Sequence, residues 1–292
     1  MEQVLPKPGR PDWLKVRLPQ GEIFERTKEI IKSWRLHTIC EEGLCPNLAE
    51  CWGHGVATIM VLGDVCTRGC RFCAVKTGNP RGRVDQDEPI RVAEAVSALK
   101  LKYVVITSVD RDDLPDGGAG HFAECVRAIH ALCPETFVEV LIPDFQGNED
   151  ALEVIYLSHP YIIGHNIETV RRLTPYVRDR RASYDLSLRV LRWFYLRDPE
   201  QKTKSGMMLG LGETREEVLQ TLQDVRSAGV DYFTLGQYLQ PTKRHLPVVR
   251  YVPPEEFDEL AREGYKLGYR MIASAPFVRS SYRADRFASS PA

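Results

Sequence analysis

No stretch of the 292-residue chain is apolar for long enough to cross a bilayer, so no membrane span is expected. The N-terminus, MEQVLPKPGRPDWL, carries neither a charged-then-apolar leader nor an Arg/Ser-rich amphipathic one, which points to a reducing, cytoplasmic compartment. Excess charge is missing too. Against 40 Asp and Glu stand 39 Lys and Arg, a net charge of −1, which argues against a polyanion-binding protein, so no nucleic-acid partner is expected. A local basic stretch, Arg171, Arg172, Arg178, Arg180 and Arg181, reads as a solvated helix face and loop. There is no low-complexity tract and no internal repeat. Gly210-Leu-Gly212 is too glycine-poor for a nucleotide loop and better suits a close approach of backbone to a ligand. What remains, 43% hydrophobic and 27% charged residues, is a globular composition with room for one large α/β barrel or two ordinary domains.

Apolar runs at 57–63, 103–109, 137–142, 161–167, 206–212 and 232–239 read as buried strands. Helical stretches at 89–101, 120–132, 149–157, 184–196 and 214–228 separate them, the last opening on a capping box, Thr214-Arg-Glu-Glu217. Strand–helix alternation of this kind implies parallel strands with right-handed crossovers. Six such units predict an α/β fold, a partial (β/α)6 barrel. A short helix near 23–34 precedes it; a helix at 254–267 and a strand at 270–274 follow. The expected division is 1–56, an N-terminal extension, 57–250, the barrel, and 251–292, a C-terminal extension. Active sites of such sheets lie at the C-terminal strand ends.

Cysteine is the residue the chain does spend, and six of its eight lie in two triplets. Cys40, Cys45 and Cys51 are spaced C-x4-C-x5-C in a Gly/Pro-interrupted segment. Cys66, Cys70 and Cys73 are spaced C-x3-C-x2-C directly after the first strand. Three thiolates are one short of the usual four for an iron–sulfur cluster, and an incomplete shell leaves a metal position for chemistry. Half of a structural zinc site is the alternative, but no His or Cys follows Cys73 until His121. Cys125 and Cys133 read as small buried hydrophobes.

With Phe72 before its last cysteine, the second triplet resembles that of the radical S-adenosylmethionine (SAM) enzymes. The resemblance implies a 4Fe–4S cluster on Cys66, Cys70 and Cys73 that binds SAM through its open iron and cleaves it to a 5′-deoxyadenosyl radical. The first triplet, CEEGLCPNLAEC, resembles the auxiliary-cluster motif of lipoyl synthases. RPDWLK at 10–15, TSVDRDDLPDGG at 107–118, HNIETV at 165–170, KSGMMLGLGET at 204–214, QYLQPT at 237–242 and RSSY at 279–282 match the same family. Where that family often has glycine and histidine, this chain has Ala275 and Arg283.

Membership would imply a sulfurtransferase inserting two sulfurs at C6 and C8 of a protein-bound octanoyl chain. It would imply a second 4Fe–4S cluster on Cys40, Cys45, Cys51 and Ser281, with Ser280 the neighbouring choice, and sulfur drawn from that cluster. SAM contacts would fall to Phe72, Ser108, Asp110, Asn166, Glu168 and Arg178, with no side chain acting as catalytic acid or base. Partners would be octanoylated lipoyl carrier domains, an electron donor such as ferredoxin or flavodoxin, and a cluster-repair carrier. The alternatives are another two-cluster radical SAM enzyme, of the methylthio-transferring kind, or a non-catalytic metal scaffold.

Overall fold

A run such as Tyr103-Val-Val-Ile-Thr-Ser108 offers apolar side chains to both faces, which suits a parallel strand covered on each side. The computed structural model describes residues 9, 11–15, 21–54, 57–282 and 284 and arranges such runs in one eight-stranded sheet. Arg10, Arg283 and most of the N-terminal stretch lie outside the described residues. The chain begins with α1 (Glu22–Ser33), β1 (His37–Thr38), α2 (Ile39–Glu42), α3 (Leu48–Gly53) and β2 (Thr58–Val61). A small ribbon follows, β3 (Val65–Cys66) against β4 (Lys76–Thr77), and then α4 (Glu88–Leu99). The alternation continues through β5 (Tyr103–Ser108), α5 (Ala119–Leu132), β6 (Phe137–Leu141), α6 (Glu149–Tyr156) and β7 (Ile162–Gly164). After α7 (Thr174–Val177) and α8 (Tyr184–Arg197) come β8 (Thr203–Leu209), α9 (Arg215–Ser227), β9 (Tyr232–Gln237), α10 (Pro254–Lys266) and β10 (Met271–Ser274).

The sheet order, β1-β2-β5-β6-β7-β8-β9-β10, follows the sequence. Every neighbouring pair is parallel except β1 with β2. Sequential parallel strands with helices between them wind as a barrel. β2 and β5 to β9 form the six expected units, and among the described residues no pairing joins β1 to β10, so the barrel is open. The period of two is visible within β5. Val104 and Ile106 pack into the helix-side core, whereas Tyr103 and Val105 join Ile162, Tyr232 and Ala284 in a separate inner cluster. Also buried are Lys204 of β8 and Glu139 of β6, paired at 2.8 Å, with the Tyr103 hydroxyl donating to the second Glu139 oxygen at 2.5 Å. A buried ion pair survives where its remaining oxygens are also satisfied.

Two strand assignments change. The run at 206–212 is a strand from Thr203 to Leu209, because Gly210 and Gly212 take positive φ and leave the ladder. A Cβ on Gly210 would meet Gln237 Nε2 at 2.2 Å and the Arg250 carbonyl at 2.4 Å, so this glycine admits the protein's own chain, not a ligand. The run at 161–167 pairs as a strand only over Ile162–Gly164, after which the backbone turns, reaching φ +67° at Glu168. The capping box is present: Thr214 and Glu217 satisfy each other's backbone N–H.

Candidate active site

The second triplet sits on the loop leaving β2, and its shape is set by charge. Arg68, buried between Cys66 and Cys70, forks onto Asp144 with both bonds at 2.7 Å, reaches Asp112 at 2.9 Å and lies 3.2 Å from Asp110. Burial pulls its proton affinity down, but the bonds to Asp144 and Asp112 more than offset that. Thr67 locks the same loop to the one after β5, donating from its N–H and its hydroxyl to the Asp110 carbonyl, both at 3.0 Å. Arg111 and Asp113 pair with each other, at 2.8 Å, and Arg111 also donates to the Leu62 carbonyl at the exit of β2. TSVDRDD is therefore in part a brace for the cysteine loop.

The first triplet is held quite differently. Two single-turn helices, α2 and α3, carry Cys40 and Cys51, with Cys45 between them. The Thr38 side chain caps α2. From 230 residues downstream the tail docks on these turns: Asn47 Nδ2 donates to the Phe277 carbonyl at 2.6 Å, and the Tyr282 hydroxyl to Glu50 at 2.9 Å. The tail also crosses β9 at Gly236, where a Cβ would lie 2.0 Å from the Val278 carbonyl oxygen.

These segments enclose one cavity of about 590 Å3 lined by all six triplet cysteines. Phe72, Ser108, Asp110, Asn166, Glu168, Arg178, Ser280 and Ser281 line it as well, so every candidate residue faces the same space. Cys125 is fully buried elsewhere, and neither it nor Cys133 lines the cavity. No cysteine is in a disulfide. Burial pushes the Cys66 and Cys70 thiols up to about 12, with Asp110 adding to it, and those of Cys40 and Cys73 to about 11. Such thiols keep their protons until a metal displaces them. Cys66 Sγ is 3.7 Å from Asp110, Cys70 Sγ accepts the Asp179 N–H at 3.3 Å, and the Cys73 carbonyl accepts from His245 at 2.9 Å.

The polar lining is only partly satisfied. Asp110 is raised to about 6 by burial, against the pull of Arg68, and Glu168 is raised by burial against Arg178 and an Asn166 hydrogen bond. Arg178 spends one arm on Ser187, at 2.7 Å, and the same hydroxyl meets His165. Asn166 donates to Ser280 Oγ at 2.7 Å. Ser108 Oγ is buried with no hydrogen-bond partner among the described residues. An orphaned hydroxyl is unfavourable by about 1–3 kcal/mol, so it suits a wall against which a polar ligand closes.

The donor set fits multi-iron groups better than single ions. A tetrahedral zinc with Zn–S near 2.3 Å draws its sulfurs to about 4 Å of one another. Among the described residues the only group of three or more His, Cys, Asp and Glu ligand atoms lying within 4.8 Å of one another is that of Glu88, His121 and Cys125, in neither triplet. Arg68, Thr67, Asn47, Asp144 and Gly236 are the positioning residues that sequence reasoning missed. Thr67 and Arg68, inside the C-x3-C motif, and Asn47, inside the C-x5-C spacing, were signalled by their place.

An open parallel barrel with three cysteines on the loop after its first barrel strand is the architecture of the radical SAM superfamily, whose model matches residues 60–225. The fold agrees with methylornithine synthase (TM-score 0.56, 13% identity, 86% of this chain and 72% of that one). It agrees likewise with an FeFe-hydrogenase maturase of Carboxydothermus hydrogenoformans (TM-score 0.54, 13% identity, 83% and 63%). The class therefore brings SAM and a 4Fe–4S cluster with it.

Sequence narrows the class. Residues 4–45 match the N-terminal domain of lipoyl synthase. The chain is 55% identical to a lipoyl synthase of Thermus thermophilus over 289 residues, 98% of this chain and 90% of that one. It is 55% identical to that of Deinococcus radiodurans over 95% and 84%. The chain belongs to the lipoyl synthase family and is a radical SAM sulfurtransferase. A methylthio-transferring enzyme and a non-catalytic scaffold are set aside on that ground. No helix among the described residues is long and apolar enough to cross a membrane.

Proposed function

We propose that this enzyme builds the lipoyl group in place, exchanging hydrogens at C6 and C8 of a protein-bound octanoyl chain for two sulfur atoms. The observation that carries the reading is the single cavity shared by both cysteine triplets and the Ser280–Ser281 tail. When bound, two 4Fe–4S clusters and SAM supply the electron, the hydrogen abstraction and the sulfur, which unactivated C–H bonds require and acid–base chemistry cannot provide.

The protein's own part is binding, orientation and exclusion. Cys66, Cys70 and Cys73, on the barrel segment 57–250, hold the SAM-binding cluster. Cys40, Cys45 and Cys51 from residues 1–56 and Ser281 from residues 251–292 hold the auxiliary one. Ser281 is favoured over Ser280 because the Ser280 hydroxyl already accepts from Asn166. A serine oxygen is a harder, weaker ligand to iron than thiolate, which suits a cluster that gives itself up. Ser108, Asp110, Asn166, Glu168 and Arg178 bind the polar ends of SAM, the arginine fork suiting its carboxylate, and Phe72 packs near the adenine. Met60, Leu141 and Met208 line the same cavity and give an octanoyl chain an apolar bed. The substrates are octanoylated carrier domains in the cytoplasm, the reductant is a ferredoxin or flavodoxin, and a cluster carrier rebuilds the auxiliary site.

Mass spectrometry of an octanoylated carrier peptide after anaerobic incubation with SAM and reductant tests the reading. The expected product has gained two sulfurs and lost two hydrogens. SAM cleavage without sulfur in the peptide would refute it.

A further inference from the structure

Cys70 of the second triplet sits in a loop that reaches the surface. Its neighbours Gly69 and Arg71 are both exposed, and its sulfur accepts the N–H of Asp179, next to exposed Arg180. Cations gather around this point. Arg71 lies over the ring of Tyr176 at 4.1 Å, and that ring is itself 57% exposed. Arg181 donates to the Thr67 carbonyl at 2.6 Å. His245 bonds the Cys73 carbonyl at 2.9 Å, and Leu246 N–H the Arg71 carbonyl at 3.1 Å, which brings exposed Lys243 and Arg244 alongside. Lys76 adds a further exposed cation from the ribbon paired to Cys66.

Residues 66–77, 176–183 and 240–246 contain one carboxylate, Asp179, held by Arg181 and the Gly69 N–H, and Asp112, which reaches Arg181 from the loop after β5, is also held by Arg68. Lys76, Arg180, Lys243 and Arg244 make no ion pair among the described residues. The segment of the first triplet is acidic, with one cation of the tail, Arg279, beside Cys45. Residues 39–54 hold Glu41, Glu42 and Glu50 and neither Lys nor Arg. The acids Asp110, Asp112 and Asp144 beside the second triplet are taken up by Arg68, so it is the exposed segments around the two triplets that differ in charge. Unpaired cations crowded on one face repel one another and are favourable only toward an anionic partner.

We propose that the cationic face around Cys70 docks an acidic one-electron carrier protein of the ferredoxin or flavodoxin kind. The partner gives up one electron, the cluster on Cys66, Cys70 and Cys73 gains it, and no proton moves. This rests on the reading of those cysteines as the SAM-binding cluster's ligands. Electron transfer weakens steeply with distance, so a donor needs a surface close to the cluster, and the loop with exposed Gly69 and Arg71 on either side of Cys70 is such a surface. The same charge pattern turns an anionic donor away from the auxiliary triplet. Encounters of this kind are small in area, steered by long-range charge and weakened by salt. An octanoylated carrier, by contrast, must reach the cavity interior, not the back of the loop.

The test uses the full-length holoenzyme and the variant Arg180→Glu/Lys243→Glu/Arg244→Glu, none of whose positions line the cavity. 5′-Deoxyadenosine formation is followed against reduced flavodoxin at several salt concentrations, and separately with saturating dithionite. The half-saturating flavodoxin concentration should rise about tenfold or more in the variant and lose its salt dependence. Dithionite-driven cleavage and half-saturation by the octanoylated carrier should stay as in the parent. Unchanged flavodoxin saturation overturns the proposal, as does a shift confined to the acyl carrier, which would make this its docking face. If dithionite-driven cleavage also falls, the milder Lys243→Gln/Arg244→Gln pair decides: it must raise flavodoxin's half-saturation with dithionite cleavage intact, or the proposal fails. A parent enzyme that cannot cleave SAM with dithionite would instead sink the reading of the triplet.

Discussion

Gly236→Ala is the sharpest perturbation the fold offers. Gly236 lies in β9 with ordinary backbone angles, so alanine brings no strain of its own. Its new methyl would lie 2.0 Å from the Val278 carbonyl oxygen, 3.0 Å from the carbonyl carbon and 3.1 Å from Arg279 Nη1. Ordinary contacts begin near 3.4 Å, so the tail must retreat by about 1 Å or more, because close-packed interiors have no slack to absorb the overlap. Overpacking of this sort is destabilising by about 1–3 kcal/mol, which the barrel should survive. The retreat falls on the segment carrying Ser280 and Ser281, whereas the second triplet is braced by Arg68 and Thr67 from other loops. A 1 Å misplacement in a positioned site lowers rates by roughly 100-fold. Sulfur insertion into an octanoylated peptide should therefore fall about 100-fold, with SAM cleavage within about twofold of the parent. Iron should drop from about eight per chain toward about four, one cubane of two. Liquid chromatography–mass spectrometry of product and 5′-deoxyadenosine, with iron analysis, reads all three. Full sulfur insertion at unchanged iron content would refute the idea that the tail completes the auxiliary site.

The remaining tests probe separate parts. Cys66→Ala should abolish SAM cleavage, while Cys45→Ala should keep cleavage and lose sulfur insertion; lipoyl product from the second variant would break the assignment of the triplets. Arg68→Ala leaves Asp110, Asp112 and Asp144 without their shared partner and should destabilise the apoprotein by about 3–5 kcal/mol in chemical unfolding, with Arg68→Lys intermediate. His165, fully enclosed, is held neutral down to about pH 4 by burial and then by Arg178, whereas an unfolded histidine protonates near 6.5. Between these values the unfolded chain binds the extra proton, so the residue's contribution is complete above pH 6.5 and is lost as pH falls toward 4, about 3 kcal/mol in all. Asp110, raised to about 6, works in the opposite direction over 3.8–6, but it is common to parent and variant. The unfolding free energies of parent and His165→Asn apoprotein should therefore converge between pH 7 and pH 4, and a constant gap would contradict the buried neutral imidazole.

Much of the scaffold was legible because parallel strands buried on both faces announce themselves as apolar runs. Residues 103–109 and 137–142 were read to within a residue of β5 and β6. Misreadings came where tertiary partners override local pattern. Lys204 and Ser205 look like solvent-facing residues, yet they lie buried in the first half of β8, because Glu139 two strands away neutralises the lysine. His37–Thr38 is too short to show a period and becomes a strand only by pairing with Ile59–Met60. Gly210 looked ready for a ligand and instead admits Gln237 and Arg250.

The cysteine spacings alone determined two three-thiol sets and, through them, the kind of chemistry. Ligand number and loop length are local properties that neighbouring residues fix. The sequence could not determine that both sets look into one cavity, or that a C-terminal serine pair joins them there. That meeting depends on Asn47 holding Phe277, Tyr282 holding Glu50 and Gly236 letting the tail lie against β9. Contacts across some 230 residues leave no periodicity or spacing to read. They exist only after the barrel has set its open edge where both ends of the chain arrive.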